Sequence, residues 1–444
     1  MDAGAHPRAP YGPRKVLPDM PTRRRRQVRK SIFDPVHGIV AVEGAPLELI
    51  GHPAFQRLWG IRQTGFAHLV FPGANHTRLE HSLGVFWVTR QMADHLGLSP
   101  EESLAVSVGG LLHDLGHGPF SHTLDPSSHE VLGFGHERIS RAWITGESLE
   151  GITDAAPPDA VAIPETLSRA GVSPQLVADL VDPAAGQDSH PSLRAMLHGA
   201  IDADRIDYLQ RDAHYTGVAH GTIDAARLLD TVRERKGRLV FAEKGRNAVE
   251  GFLVGRALMY SSVYFHKTVR SAEVMAQSAL ERLPEYPAVS HSVFGMTDGE
   301  FFGYLTAASS RTADMVRRFR SRQLFKRALA WREIPSGLGT AVRRLVKRPA
   351  ERRQVEDLLA DRLGFPNGTV LLDLAGLSSR AVPGDWAEVG LLGDRRVTYP
   401  FRSPSVWRDL AMRPPTAWKV AVYVPPDRRA LAERRLDGLL RRVL

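Results

Sequence analysis

Gly109 to Asp125 read GGLLHDLGHGPFSHTLD, and this stretch governs how the rest of the chain is read. An apolar run ends in the adjacent pair His113-Asp114, with His117 and His122 just downstream. Neutral imidazole and carboxylate together suit a divalent cation that keeps positions open for water and substrate. The pair alone is a weak sign, because adjacent residues on a helix point apart and an ordinary helix end can carry both. Leu104, Val108, Leu111, Leu112 and Leu115 recur at helical spacing over Ser103 to Leu115, and Gly116, Gly118 and Pro119 forbid continuation. His117 is therefore expected just past a helix end.

Further donors lie on two other segments. Upstream, Thr77-Arg-Leu-Glu-His81 opens an apolar-periodic stretch and predicts a helix capped by Thr77, with Arg78 and His81 at i, i+3 on one face. Downstream, Ile201 to Asp212 predicts a helix that aligns Asp204, Tyr208 and Arg211 on one stripe. Three helices can thus converge on a single ion.

The ordered set His81, His113-Asp114 and Asp204 resembles the HD-domain metal-dependent phosphohydrolases, and within them the branch of deoxynucleoside triphosphate triphosphohydrolases. The flanking text makes the likeness close: Phe71 to Gly84, Leu112 to His122, Gly135-His-Glu137, Asp202 to Tyr208 and Val263 to Lys267. It runs from Ser31 to Met275, and no specific match is seen beyond that point. The resemblance implies a mainly α protein, an HD-domain helical catalytic core with a smaller α+β C-terminal lobe. The expected divisions are a basic flexible N-terminal arm over 1–30, an HD phosphohydrolase catalytic domain over 31–290, and a basic C-terminal lobe over 291–444.

Residue roles come from the same resemblance. One divalent ion (manganese, iron, magnesium, nickel or cobalt) would sit on His81, His113, Asp114 and Asp204, with a second magnesium able to accompany the substrate phosphates. His117, His122, Asp125, His136 and Glu137 would be catalytic, with His122 the preferred acid, since an imidazole near neutrality suits protonation of a departing 5′ oxygen. Arg78 and Arg205 would meet phosphate oxygens, for which a planar guanidinium supplies paired charge-assisted hydrogen bonds. Gln63, Tyr208 and Asp212 would face the sugar, and Arg256, Tyr260 and Tyr264 would line the site from a later helix. The Tyr260/Tyr264 spacing is equally that of a core stripe. Two positions depart from a well-known member: Thr64 stands where an apolar residue packs on the deoxyribose, and Tyr260 where a histidine stands. A small hydroxylated side chain can admit a 2′-hydroxyl, because pockets reject an added hydroxyl poorly unless something blocks it.

Composition bounds these readings. The 444 residues are 43% hydrophobic and 24% charged, enough for a full core and a large plus a smaller domain. With no cysteine, disulfides, thiolate metal sites and cysteine nucleophiles are excluded, so any metal must use nitrogen and oxygen ligands. No apolar stretch reaches the length of a membrane span and the N-terminus lacks a secretory pattern, so a cytoplasmic location and no membrane partner are expected. The net charge of +9 favours polyanionic partners, with a nucleoside triphosphate substrate in front and nucleic acid an option through basic segments such as Arg23 to Lys30, Arg317 to Arg322 and Arg343 to Arg348. Relatives of this kind imply a homo-oligomer and a nucleotide effector.

Secondary structure outside the three helices is sparser. Lys30 to Val42 predicts a short hairpin around Pro/Gly turn chemistry, and Asp154 to Pro191 a loose connection with one or two short helices. Gly368 to Leu374 and Trp418 to Val424 read as strands of the α+β lobe. Three other functions compete: an HD nucleotidase or phosphodiesterase acting on a modified nucleotide, a nucleic-acid-binding protein with a vestigial HD site, and an HD-fold oxygenase needing ligands for two irons. Product analysis, salt-dependent nucleic-acid affinity and metal stoichiometry separate them.

Overall fold

The computed structural model describes residues 28–153, 160–184, 190–374, 377, 388–394, 396–400 and 418–444. Most of the basic arm lies outside them, and its last two residues begin the first strand. That strand, β1 (Arg29–Asp34), pairs antiparallel with β2 (Gly38–Glu43), as the turn chemistry predicts. Asp34 Oδ1 accepts from the amides of Val36 (2.9 Å) and His37 (2.8 Å), which closes the turn before Gly38.

Helix α1 (Arg78–Leu96) is the centre of the molecule. Thr77 and Glu80 form a reciprocal capping box at its start, and Gly97 at φ 65° ends it in the left-handed region. Leu79, Leu83, Val85, Phe86, Val88 and Met92 are all buried and do not confine themselves to one face, as expected of a helix surrounded by others. Helix α2 (Pro100–Leu112) starts on a Ser99/Glu102 box with Pro100 in its first turn and packs along α1. It ends at Leu112, three residues before the apolar periodicity does, and His113 is its cap.

The chain then winds through the loop bearing His117 and His122 into α3 (Asp125–Leu132) and α4 (His136–Thr145). Gly116 lies so close to α4 that a Cβ there would be 2.1 Å from the His136 carbonyl, and its amide donates to Ser140 Oγ (2.8 Å). The described part of 154–191 holds two short helices, Ile163–Arg169 and Pro174–Val181. Helix α5 (Ala203–Thr216), capped by the Asp202 carboxylate, packs against α1 and completes the convergence.

Periodicity did not reveal a second hairpin, β3 (Val232–Arg235) with β4 (Arg238–Ala242), whose turn places Lys236 and Gly237 at positive φ. It precedes α6 (Arg246–Met259), α7 (Lys267–Glu281) and α8 (Asp298–Ala308). The later chain adds β5 (Lys326–Trp331), α9 (Gly339–Lys347), α10 (Pro349–Leu363), β6 (Leu371–Asp373), β7 (Gly390–Leu392), β8 (Val397–Thr398), β9 (Val420–Val424) and α11 (Arg429–Val443). The fully buried β9 lies between β5 and β6, antiparallel to both, while β7 returns to pair parallel with β4. Helix dominates throughout, with small sheets only: a mainly α chain with a smaller α+β part.

The late residues do not form an isolated core. Phe301, Phe319, Leu371, Leu391, Ala421 and Tyr423 belong to the same buried cluster as Val85, Phe120 and Ile206, whereas Trp331, Leu359, Val422 and Leu436 form a cluster of their own. No helix among the described residues is long and apolar enough to cross a membrane.

Candidate metal centre and substrate cavity

Each of the three central helices brings its donors from an end. His81 comes from the first turn of α1, His113 and Asp114 from the exit of α2, and Asp204 from the first turn of α5. Ligand atoms of His81, His113 and Asp114 all lie within 4.8 Å of one another. Asp204 Oδ1 reaches His81 Nε2 at 3.0 Å and His113 Nε2 at 3.7 Å, and Asp114 Oδ1 lies 3.2 Å from His113 Nε2.

The donor chemistry fits a divalent cation. Both Nε2 atoms are buried and turned to the Asp114 and Asp204 carboxylates, while the opposite ring nitrogens are engaged: His81 Nδ1 with Asp207 Oδ2 (2.7 Å) and His113 Nδ1 with the Gly110 carbonyl (2.8 Å). An acceptor on Nδ1 fixes the tautomer that leaves Nε2 as a lone-pair donor, the usual way protein orients a ligating histidine. Two imidazoles and two carboxylates suit manganese, iron, nickel, cobalt or magnesium, and choose none of them.

Electrostatics point the same way. Burial alone would depress the His81 imidazole, but the carboxylates of Asp204, Asp207 and Asp114 outweigh it and push its pKa up to about 10. Burial would raise Asp114, yet Arg78, His113 and His117 hold it well below the carboxylate range. The centre is a concentration of negative charge that draws protons onto its histidines, and a cation would satisfy the same field.

A second group sits beside the first. The His117 and His136 rings stack at 3.7 Å, His117 Nε2 lies 3.3 Å from Asp114 Oδ1, and Asp125 stands between His122 Nδ1 (3.0 Å) and His136 Nδ1 (3.8 Å). Glu137 approaches His136 Nδ1 at 3.4 Å. Burial, with Arg78 and His136 adding to it, keeps His117 neutral well below the usual imidazole range. His122 differs in being 55% exposed. The ligand atoms of His117, His122, Asp125 and His136 also lie within 4.8 Å of one another, close enough to share a cation.

A cavity of about 550 Å³ opens next to these groups and is lined by Gln63, Thr64, Arg78, His122, Asp125, Tyr208, Asp212, Tyr260 and Tyr264. Its volume is in the range of small-molecule sites. The far wall comes from α7, α9, α10 and β6, so the late chain helps to enclose it. Within it Asp212 accepts from Tyr264 Oη and from His76 Nε2 (2.8 Å). Arg78 donates to Asp114. Arg205 and Arg256 do not line the cavity: Arg205 turns to Asp202 and the Gly199 carbonyl, and the Arg256 guanidinium lies 4.5 Å over the Tyr260 ring.

Sequence reasoning assigned no role to two carboxylates that matter here. Asp207 orients His81 and also meets His37 Nε2 (2.6 Å) and Arg211. Its signal was present in Asp202-Ala-Asp204-Arg-Ile-Asp207, where the third acid lies nearly one turn beyond the ligand. Asp298 accepts from the amides of Phe120 (2.7 Å) and Arg62 (3.1 Å), tying together the two loops that carry His122 and Gln63. Nothing local to Asp298 marks it.

The chain matches two family models, the HD domain over residues 78–212 and the HD associated region over residues 223–441. The second overturns the expectation that no specific match extends beyond Met275. Curated relatives include Uncharacterized protein YwfO of Bacillus subtilis, 39% identical over 57% of this chain and 55% of that protein. An uncharacterized protein of Methanocaldococcus jannaschii is 33% identical over 68% of this chain and 60% of its own. Human deoxynucleoside triphosphate triphosphohydrolase SAMHD1 is 29% identical over 58% and 45%. This chain thus spans about half the length of the curated relatives it matches. Among solved structures, a phosphohydrolase from Bacteroides thetaiotaomicron aligns with TM-score 0.68 at 24% identity, over 90% of this chain and all of that one. A hypothetical protein from Aquifex aeolicus aligns with TM-score 0.64 at 25% identity, over 92% and 100%. All four candidate ligands fall inside the HD match, and the HD associated region covers most of the chain beyond it: the protein belongs to the HD-domain phosphohydrolases and is related to the deoxynucleoside triphosphate triphosphohydrolases.

Proposed function

We propose that this protein hydrolyses (deoxy)nucleoside triphosphates at the α-phosphorus, releasing nucleoside and intact triphosphate. The observation that carries the reading is the convergence of the buried Nε2 atoms of His81 and His113 with the Asp114 and Asp204 carboxylates, directly beside a cavity of about 550 Å³ that holds the His122–Asp125 pair. The likeness to SAMHD1 adds the reaction class.

A divalent ion on those four residues would neutralise phosphate charge and make water more acidic. The chain's own groups do the rest. Arg78 stands at the cavity wall to meet a phosphate oxygen, and Tyr208 and Gln63 border the sugar. Asp125 at His122 Nδ1 orients the imidazole, so the opposite ring nitrogen can deliver a proton to the 5′ oxygen as the phosphorus–oxygen bond breaks. Water oxygen bonds to the α-phosphorus as the bond to the 5′ oxygen breaks: the nucleoside departs with the proton from His122, the triphosphate keeps the water's oxygen, and the proton the water gives up restores the imidazole. His117, neutral and stacked on His136, supplies a hydrogen-bonding partner for the α-phosphate without added charge. Catalysis needs no covalent intermediate.

The test is a panel of four deoxynucleoside and four ribonucleoside triphosphates, with products separated by anion-exchange chromatography. Nucleoside plus triphosphate is expected; release of orthophosphate or pyrophosphate refutes the assigned bond. The second histidine group favours a two-metal reading as the rival, which metal analysis would register as two ions per chain.

A further inference from the structure

Three segments far apart in sequence meet in one knot: the stretch from Arg57 to Arg62, the loop from Leu115 to Thr123, and the start of α8 in the HD associated region. At its centre is Asp298, the first residue of α8 and buried. Its Oδ1 accepts from the Phe120 amide (2.7 Å) and its Oδ2 from the Arg62 amide (3.1 Å), with Arg62 Nη1 3.5 Å from the same oxygen. Arg57 crosses the same junction, donating from Nη2 to the Leu115 carbonyl (2.7 Å) and from Nη1 to the Gly295 carbonyl (3.2 Å). The backbones themselves touch, since a Cβ on Gly118 would lie 2.6 Å from the Phe294 carbonyl oxygen.

Phe120 holds a backbone conformation that a bulky residue rarely adopts. Its φ is +53°, in the left-handed region, which costs about 1–2 kcal/mol and persists only where the surroundings over-determine it. The surroundings here are Asp298 at its amide and a ring packed 4.3 Å from Phe66 and edge-on to Phe301 of α8 at 5.9 Å. The chain passes from Phe120 straight into the single turn Ser121–Thr123, closed by the Thr123 amide on the Phe120 carbonyl (3.1 Å). The direction taken at Phe120 therefore sets where His122 stands, two residues on. His122 lines the cavity and Asp298 does not.

We infer that Asp298 is a positioning residue for the reaction: by fixing the left-handed turn at Phe120 it places the His122 imidazole, so that the HD associated region aims the acid that the HD domain carries. The inference rests on the proposed hydrolysis, in which His122 is that acid. A carboxylate suits the task because it only accepts and has two oxygens, one for each backbone amide, whereas a side-chain amide has a single oxygen and turns its NH₂ against the other. A misplacement of about 1 Å at a reacting group costs about 10²-fold in rate.

The experiment is a double-mutant cycle on the full-length protein: wild type, Asp298→Asn, His122→Ala and the double variant, with kcat measured on the nucleotide that the wild type turns over fastest. Asp298→Asn is expected to keep its metal, by elemental analysis, and to lose about 10²-fold in kcat. With His122 already replaced, the same change should cost less than about threefold, because no imidazole is left to place. Losses that multiply in the double variant, or an unchanged kcat in Asp298→Asn, overturn the inference. Hydrogen exchange read by mass spectrometry tests the positioning without turnover. Amides of residues 117–125 should exchange about tenfold faster in Asp298→Asn, the effect of one lost hydrogen bond, while α1 and α5 keep wild-type protection. Unchanged exchange over 117–125, or protection lost from all helices alike, also overturns it. A wild type that turns over no nucleotide refutes the hydrolytic reading instead, and selective loosening of 117–125 then still supports Asp298 as the residue that holds this loop.

Discussion

Asp207→Asn is the sharpest probe of how the metal centre is supported, because it alters no ligand. The wild-type carboxylate receives four hydrogen bonds: Oδ1 from His37 Nε2 (2.6 Å) and Arg211 Nη2 (2.9 Å), Oδ2 from His81 Nδ1 (2.7 Å) and Arg211 Nε (2.9 Å). An amide has one oxygen, so whichever way it turns, its NH₂ faces two of these donors. The substitution also removes one of two counter-charges from Arg211, which is 0% exposed and would be left with Asp34 alone at 2.7 Å. Breaking a buried pair in this way costs about 3–5 kcal/mol of stability, and losing the partner that orients a ligating histidine weakens metal binding about 10- to 100-fold. Asp204→Asn, by contrast, removes a ligand whose side chain is 33% exposed, and should abolish tight metal binding at a smaller cost in stability. The assays are denaturant unfolding of the metal-free proteins and chelator-competition titration of the metal. If Asp207→Asn unfolds at the wild-type midpoint and keeps wild-type metal affinity, the account of Asp207 is wrong. It is equally wrong if Asp204→Asn proves the less stable of the two.

Three further outcomes are expected. His113→Ala or Asp114→Ala should lose ion and turnover together, whereas His122→Ala should keep the ion, measured by elemental analysis, and slow turnover about 10²- to 10⁴-fold; equal metal loss in both classes defeats that division. In Gly84→Ala the new Cβ would lie 1.9 Å from Asp207 Oδ1 and 2.4 Å from Arg211 Nη2, so the helix must shift and stability should fall by about 1–3 kcal/mol, read as a lower melting temperature; an unchanged one shows the contact to be soft. Burial pushes the Glu130 carboxyl up, but Arg353 and Tyr286 outweigh burial and hold it below the usual glutamate range. A carboxyl depressed in the folded state contributes stability that is full above the unfolded value and is lost as pH falls through the folded one. The wild-type melting temperature should therefore drop more steeply below about pH 4 than that of Glu130→Gln, and parallel curves would remove this pair from the acid response.

What local chemistry can specify was legible in the chain. The helix cap at Thr77, the turn between β1 and β2, and the strands at Leu371 and Val420 depend on residues within a few positions of one another, so spacing reveals them. The four candidate ligands could be named because the strings of residues around them resemble those of the HD-domain phosphohydrolases. The hairpin at Val232 to Ala242 escaped because its four- and five-residue strands are too short for an alternation to stand out from the flanking helices.

Tertiary structure alone decided the rest. The parallel pairing of β4 with β7 joins stretches about 150 residues apart, and no local pattern encodes a partner so distant. Arg205 and Arg256 carry the right chemistry for phosphate yet turn to Asp202 and to Tyr260, because a long side chain goes where packing leaves it a partner. Asp298 holds Phe120 and Arg62 from 178 and 236 residues away, and Asp207 reaches His81 only because Gly84 lets the two helices touch. Residue type and helical period determine which groups can do chemistry; how closely separate helices approach determines which of them meet.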